Sequence, residues 1–263
     1  MKLIESVLIF SDPHGWLADL RALRVINKVC QKTKFDKIII NGDICDFPYI
    51  SKHAKKLYSD GIMKGYTEAK EIEYTRDQIL KPLRASNGSK TEIIARLGNH
   101  DERITNPYSL SKGQLKSIAI LQKHFNTSKY DEMLDLSTIG VSYDPSVVLT
   151  LHNTFDIVHG LSLAKNAPEQ NIKEYMSSGS SGHSHRLGHK YVTNRHAPYV
   201  WIESGHTRLP FNVEYLPTGK MADWQQGFVT VDFYENGKNP IFFAESHFIY
   251  DGTCQFNGDI YKA

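Results

Sequence analysis

The decapeptide Ser6–Gly15, SVLIFSDPHG, is the natural place to start reading the fold. Ser6–Ser11 is a compact apolar run, and it stops on Asp12-Pro13-His14-Gly15, a turn sequence. Behind it Leu17, Leu20, Leu23, Ile26 and Val29 recur at helical spacing and predict an amphipathic helix from Leu17 to Gln31. The same unit then recurs. Lys37–Asn41 predicts a second buried strand, followed at once by Gly42-Asp43. Tyr66–Ala85 is polar and periodic, a surface helix that ends near Asn87-Gly88. Glu92–Leu97 predicts a third strand, broken by Gly98-Asn99-His100-Asp101. Strands alternating with helices predict an α/β layered fold. Sites in open α/β sheets form beyond the carboxyl ends of the strands, and each of these three strands ends in a polar cluster.

Farther along, Lys112–Phe125 reads as a helix with Leu115, Ile118, Ala119 and Leu121 on one side. Val147–His152 and Asp156–His159 predict two short strands around Asn153-Thr154, and Pro168–Met176 a short helix. Ser177–Ser181 has the composition of a flexible linker but runs straight into Gly182-His183-Ser184-His185, so it reads as a small-residue approach to a site. The last third carries strand signals at Tyr199–Glu203, Gly227–Tyr234 and Pro240–Ile249, with Glu235-Asn236-Gly237 as a hairpin turn. No linker or repeat divides the chain, so residues 1–263 are expected to form one domain.

Composition narrows the function classes. The chain has 263 residues, 40% hydrophobic and 23% charged, which is an ordinary globular balance. Its 31 Lys and Arg against 29 Asp and Glu leave a net charge of +2, which does not mark a strong electrostatic binder. The cysteines Cys30, Cys45 and Cys254 show no C-x-x-C spacing and cannot build a disulfide framework. Glu5 interrupts the N-terminal apolar stretch, and no run approaches the roughly 20 apolar residues of a membrane span. A cytoplasmic location is expected. The 12 histidines are the unusual entry, because histidine serves metal ligation and proton transfer.

Five polar clusters contain many of them: Asp12-x-His14, Gly42-Asp43-x-x-Asp46, Gly98-Asn99-His100-Asp101, His159-Gly160 and Gly182-His183-x-His185. Alternate residues of an extended chain share a face, which would pair Asp12 with His14 and His183 with His185. The mixture of carboxylate, amide oxygen and imidazole suits Mn, Fe, Zn or Co better than an all-oxygen or all-thiolate site. Each cluster alone also fits a turn, a cap or a core histidine; their joint occurrence in this order does not.

Taken together, the five clusters resemble the signature of the calcineurin-like metallophosphoesterases, and they span Asp12 to His185. The tail Trp224–Phe228 is similar to that of small phage and prokaryotic members of repair-exonuclease type. The resemblance implies a four-layer α-β-β-α sandwich of two mixed sheets with a dinuclear metal site at the strand ends. It implies that Asp12, His14 and His185 hold one divalent ion, that Asn99, His159 and His183 hold a second, and that Asp43 bridges both. Manganese is the expected metal, with Fe, Zn, Co and Ni as alternatives. His100 matches a non-ligand histidine that approaches the leaving group, and Asp46 the carboxylate that orients it. In the protein-phosphatase branch an arginine commonly follows the second aspartate; here Phe47 does, which argues against a phosphoprotein substrate. Two cations roughly 3.5–4 Å apart can neutralise phosphoryl oxygens and lower the pKa of a bridging water, and a histidine acid contributes about 10²–10⁴-fold.

Asn99, Arg186 and His206 are further candidates for contact with substrate. Cys45, beside Asp43, reads as a small buried filler in preference to a thiolate ligand. Two basic segments, Lys52–Lys64 and Arg186–Arg208, with Tyr49, Tyr58, Tyr191, Tyr199 and Trp201 interleaved or nearby, would suit a phosphate backbone and stacked bases. The leading expectation is hydrolysis of a phosphodiester of nucleic acid, such as DNA, or of a nucleotide, through a metal-bridging hydroxide. The alternatives are a small-molecule phosphomonoesterase or cyclic-nucleotide phosphodiesterase and, remotely, a non-catalytic scaffold such as a retromer subunit. Oligomeric state is left open.

Overall fold

The computed structural model describes residues 1–50, 64–106, 110–210 and 222–263. Strands β1 (Leu3–Phe10), β2 (Lys37–Asn41) and β3 (Glu92–Arg96) run parallel, and β4 (Ser142–Asp144) extends them. A second set comprises β5 (Leu149–Leu151), β6 (Phe155–Val158), β7 (Ser178–Ser181), β8 (Leu187–Thr193) and β9 (Pro198–Ser204). The chain then returns to the first sheet as β10 (Gln226–Tyr234) and β11 (Ile241–Ile249), and ends in the hairpin β12 (Thr253–Phe256) and β13 (Asp259–Lys262). The two large sheets are ordered β11-β10-β1-β2-β3-β4 and β5-β6-β7-β9-β8.

The apolar run of β1 follows from burial on both faces. Leu8 and Phe10 pack against the helical layer, while Val7 and Ile9 face the second sheet. Ile38 and Ile40 of β2 and Ile93 and Ala95 of β3 join the helical side; Ile39 and Ile94 join the inter-sheet side. Phe155, Ile157 and Ile202 of the second sheet complete that inner core. On the first sheet's outer face lies α1 (Leu20–Lys32), with Asp19 accepting from the Arg21 N–H as its cap. Next come α2 (Glu68–Thr75), a π turn at Arg76–Leu80, and α3 (Lys81–Ala85). The wide turn precedes Pro82, which brings no N–H and whose ring crowds the carbonyl four residues back. The short helices α4 (Glu102–Thr105), α6 (Tyr130–Met133) and α7 (Leu136–Ile139) flank the longer α5 (Lys112–Phe125), which Ser111 and Gln114 start with a reciprocal capping box. The fourth layer is α8 (Ala167–Tyr175), packed on the second sheet through Ile172 and Tyr175 against Trp201. The expected four-layer sandwich of two mixed sheets is therefore present.

Two readings are sharpened. Ser178–Ser181, the small-residue approach to Gly182-His183-Ser184-His185, is a central strand of the second sheet, parallel to both β6 and β9. Its small side chains make room for the Trp201 indole, which donates to Ser181 Oγ at 3.0 Å. Serine and glycine carry weak strand propensity, so packing, not composition, decides this element. Tyr66–Ala85 is not wholly a surface helix: Glu71, Ile72 and Thr75 are fully buried. The turn after Tyr234 spans six residues before pairing resumes at Ile241. Among the described residues no helix is long and apolar enough to cross a membrane.

Candidate metal centre

The carboxyl ends of β1, β2 and β3 in one sheet and of β6, β7 and β9 in the other converge on one point. Backbone hydrogen bonds from Asp12 N to Gly42 O (3.1 Å), His14 N to Asp43 O (3.0 Å) and Gly15 N to Ile44 O (2.8 Å) zip the first two loops together. The β3 loop joins through His100 N, which donates to Asp43 Oδ1 at 2.8 Å. The β7 loop joins through His183 N, which donates to Asp12 Oδ2 at 3.0 Å. A Cβ at Gly98 would overlap the Asp43 backbone nitrogen, and one at Gly182 would sit 2.6 Å from Asp12 Oδ2. Close loop approach therefore demands glycine at both positions.

Asp12, His14, Asp43, His183 and His185 all adopt left-handed backbone, with φ between 50° and 64°. Asp12 and His14 lie beyond the end of β1, and His183 and His185 beyond the end of β7. Each pair is thus brought together by tight turns, not by the alternation of an extended strand.

The donor atoms form three overlapping groups: Asp12 with His14 and His185, His14 with Asp43 and His100, and Asp43 with His159 and His183. His14 Nε2 lies 3.0 Å from His185 Nε2, and His185 Nε2 lies 3.2 Å from Asp12 Oδ1. His159 Nε2 is 3.3 Å from both Asp43 Oδ2 and Asn99 Oδ1. Asp12 Oδ1 is buried without a hydrogen-bond partner among the described residues. Two facing imidazole nitrogens and an unpartnered carboxylate oxygen are costly unless a cation lies among them, so the residues fit a divalent metal. Second contacts orient the rings: His159 Nδ1 is 2.8 Å from the Asn41 carbonyl, and His14 Nδ1 is 2.7 Å from Asp46 Oδ1. His100 Nδ1 lies 3.1 Å from the same Asp46 oxygen, and its Nε2 is 3.8 Å from Asp43 Oδ2. Asp12, His14, Asp43 and His185 are buried, whereas Asn99, His100 and His183 are half-exposed and form the open face.

Charge is strongly organised. Burial opposes ionisation of Asp43, but His159 and His100 around it hold its carboxyl well below the usual range. Burial likewise opposes the charged form of His159, yet Asp43 and Asp12 push it up to about 10. His100 is pushed up to about 9 against burial by Asp43 and Asp46. His14 is lowered to about 4 by burial, and burial also holds His185 well down.

Several supporting residues escaped the sequence reading. Asp101 accepts from the N–H groups of Ile44, Cys45 and Gly98 and from the Tyr130 hydroxyl, tying the β2 and β3 loops together. Its place beside His100 was the available signal. Glu71 accepts from Asp46 N at 2.7 Å and Phe47 N at 3.0 Å, and from the Tyr66 hydroxyl; nothing in an acidic helix distinguishes it from its exposed neighbours. Arg96 lies between the sheets and bonds Asn41 Oδ1, the Ile157 and Ser146 carbonyls and Asp144.

Other candidates are placed as follows. His206 is fully buried against His185, with ring centroids 5.3 Å apart, and neither ring nitrogen has a hydrogen-bond partner among the described residues. Arg186 donates to the Leu163 and Ala164 carbonyls, so its guanidinium braces the loop after His159. Burial raises the Cys45 thiol well above its usual range, which fits the filler reading. Trp201 is core, stacked on Tyr175 at 5.5 Å, and cannot receive a base. Lys52, His53, Lys55, Lys56 and Tyr58 of the first basic segment lie outside the described residues. In the second segment Lys190 leans toward Glu169, and Arg208 is buried, 5.5 Å from the Trp224 ring.

An α-β-β-α sandwich whose strand ends gather imidazoles and carboxylates presents a site suited to divalent metal ions. The chain belongs to the calcineurin-like phosphoesterase family, whose pattern matches residues 6–242. It is similar to the Gene 54 protein of Mycobacterium phage D29, 23% identical over 87% of this chain and 89% of that protein. A Gene 54 protein of Mycobacterium phage L5 matches at the same identity and coverage. Among solved structures, a zinc complex of Vps29 from Entamoeba histolytica aligns over 95% of this chain and 96% of its own at 12% identity, TM-score 0.47. A dimetal phosphatase from Danio rerio aligns over 92% and 99% at 10% identity, TM-score 0.41.

Proposed function

We propose that this chain hydrolyses a phosphodiester of nucleic acid or of a nucleotide, with two divalent ions, manganese foremost, and that it works in the cytoplasm. What supports the reading is the gathering of Asp12, His14 and His185 in one donor group and of Asp43, His159 and His183 in another, with Asn99 Oδ1 3.3 Å from His159 Nε2 and Asp43 Oδ2 3.9 Å from His14 Nε2. We assign Asp12, His14 and His185 to one ion, Asn99, His159 and His183 to the other, and Asp43 to both. When bound, the ions supply Lewis-acid polarisation of the phosphoryl group and a water acidified for attack. The chain's residues do the rest. Asp46 holds Nδ1 of His100 and leaves Nε2 to carry the proton that the departing oxygen needs. The same carboxylate orients His14, so one residue couples the ligand set to the acid. Asn99, His100 and His183 form the half-exposed face by which substrate enters.

The test is an assay of the Mn-loaded protein on single- and double-stranded DNA, RNA, mononucleotides, cyclic nucleotides and a generic monoester and diester pair. Cleavage of diesters supports the proposal. Monoester hydrolysis without diester cleavage would overturn the diester assignment, and a chain that takes up no metal would point to a scaffold.

A further inference from the structure

We infer that Arg103 binds substrate: its guanidinium takes a phosphoryl oxygen of the phosphoester at the mouth of the centre. The inference rests on the phosphoesterase reading and adds a residue to it. Arg103 lies on α4, three residues after His100, and is half-buried. Its Nη1 donates to the Asp46 carbonyl at 2.9 Å and lies 3.0 Å from His100 Nδ1. The bond to the Asp46 carbonyl pins one corner of the planar fork. Nε and Nη2 have no hydrogen-bond partner among the described residues, and no carboxylate there forms an ion pair with the group.

The Asp46 carboxylate that would neutralise Arg103 is committed to His14 and His100. Arg96 bonds Asp144, Asn41 and two carbonyls, Arg186 braces the loop carbonyls, and Arg208 is buried beside Trp224 on the His185 side of the centre. Phe47, directly after Asp46, is fully buried and offers no charge. Arg103 is therefore a half-buried positive group held beside the histidine we assign to the leaving group, with Nε and Nη2 left as a pair of donors in fork geometry. That geometry matches two oxygens of a phosphoryl group, which a point charge would not.

The test compares wild type with Arg103→Gln and Arg103→Lys in the Mn-loaded protein. Metal content per chain, thermal melting, kcat and KM on a generic diester, and inhibition by inorganic phosphate are measured. Arg103→Gln is expected to melt and hold metal like wild type. It should raise KM and the phosphate inhibition constant together by about 10–100-fold, the scale of a lost charge-assisted hydrogen bond. Arg103→Lys should restore part of both and, being charged, serves if the Gln variant does not fold. Unchanged KM and phosphate inhibition in an active Arg103→Gln enzyme would overturn the inference alone. A fall in kcat with both constants unchanged would also overturn it, making Arg103 a positioning residue for His100. A wild type that hydrolyses no phosphoester and binds no phosphate overturns the phosphoesterase reading, and the inference with it.

Discussion

Five candidate ligands sit in left-handed backbone, a conformation that costs non-glycine residues about 1–3 kcal/mol each when strained. These five carry that cost at the centre, where a bound metal could offset it. We assign Asp43 to both ions, so Asp43→Asn should lose metal and activity together, read by metal analysis beside turnover. His100→Ala should keep both ions while kcat falls about 10²–10⁴-fold; because His100 also lies near His14 and Asp43, loss of an ion instead would make it a ligand. Asp12 and His14 were legible because both residues and their turn signal lie within four positions. Glu71 was not, because its role depends on contact with Asp46 and Phe47, some 25 positions away in sequence. Both of its carboxyl oxygens accept backbone N–H groups, so Glu71→Gln should lose about 1–3 kcal/mol in urea unfolding, one buried donor then facing an amide N–H.

At the scale of elements, strands buried on both faces announced themselves. Lys37–Asn41 has the expected bounds, and β1 and β3 differ from expectation by a few residues at their ends. Strands of other character were silent. Ser178–Ser181 is buried throughout yet carries no apolar residue, because its job is to accept Trp201. A methyl group at Gly179 would lie 2.7 Å from Trp201 Cζ3. Gly179→Ala should therefore cost about 1–3 kcal/mol by overpacking, seen as a lower urea midpoint with an unchanged slope. The strand also carries His183 and His185 at its end, so the same variant should weaken metal uptake.

Across the whole molecule, the centre exists only where two sheets meet. Asn41 joins them: its Nδ2 donates to the Val158 carbonyl, and its own carbonyl faces His159 Nδ1. Arg96 adds bonds to the Ile157 carbonyl beneath. Drawing carboxylates and imidazoles together without a metal leaves His159 protonated, its pKa raised to about 10. Its contribution to stability is then fully present below about pH 6.5, the ordinary histidine value, and is lost as pH rises through about 10. Bound metal requires the neutral ring. Metal uptake near pH 8 should therefore release protons, measured by calorimetry in buffers of different ionisation heat, and affinity should rise with pH toward 10. Uptake without proton release would contradict the charge state assigned to His159.

By itself the sequence determined the layered α/β class and the identity of the candidate ligands. Both rest on local signals: buried apolar runs, and clusters of Asp, His, Asn and Gly at their ends. Only the tertiary structure decided that β7 is a strand, that Glu71, Asp101 and Asn41 brace the site, and that Arg103 stands beside His100 with no carboxylate paired to it among the described residues. Those properties depend on which atoms a side chain meets across two sheets, and burial and hydrogen-bond partners are not written in the spacing of residues along a chain.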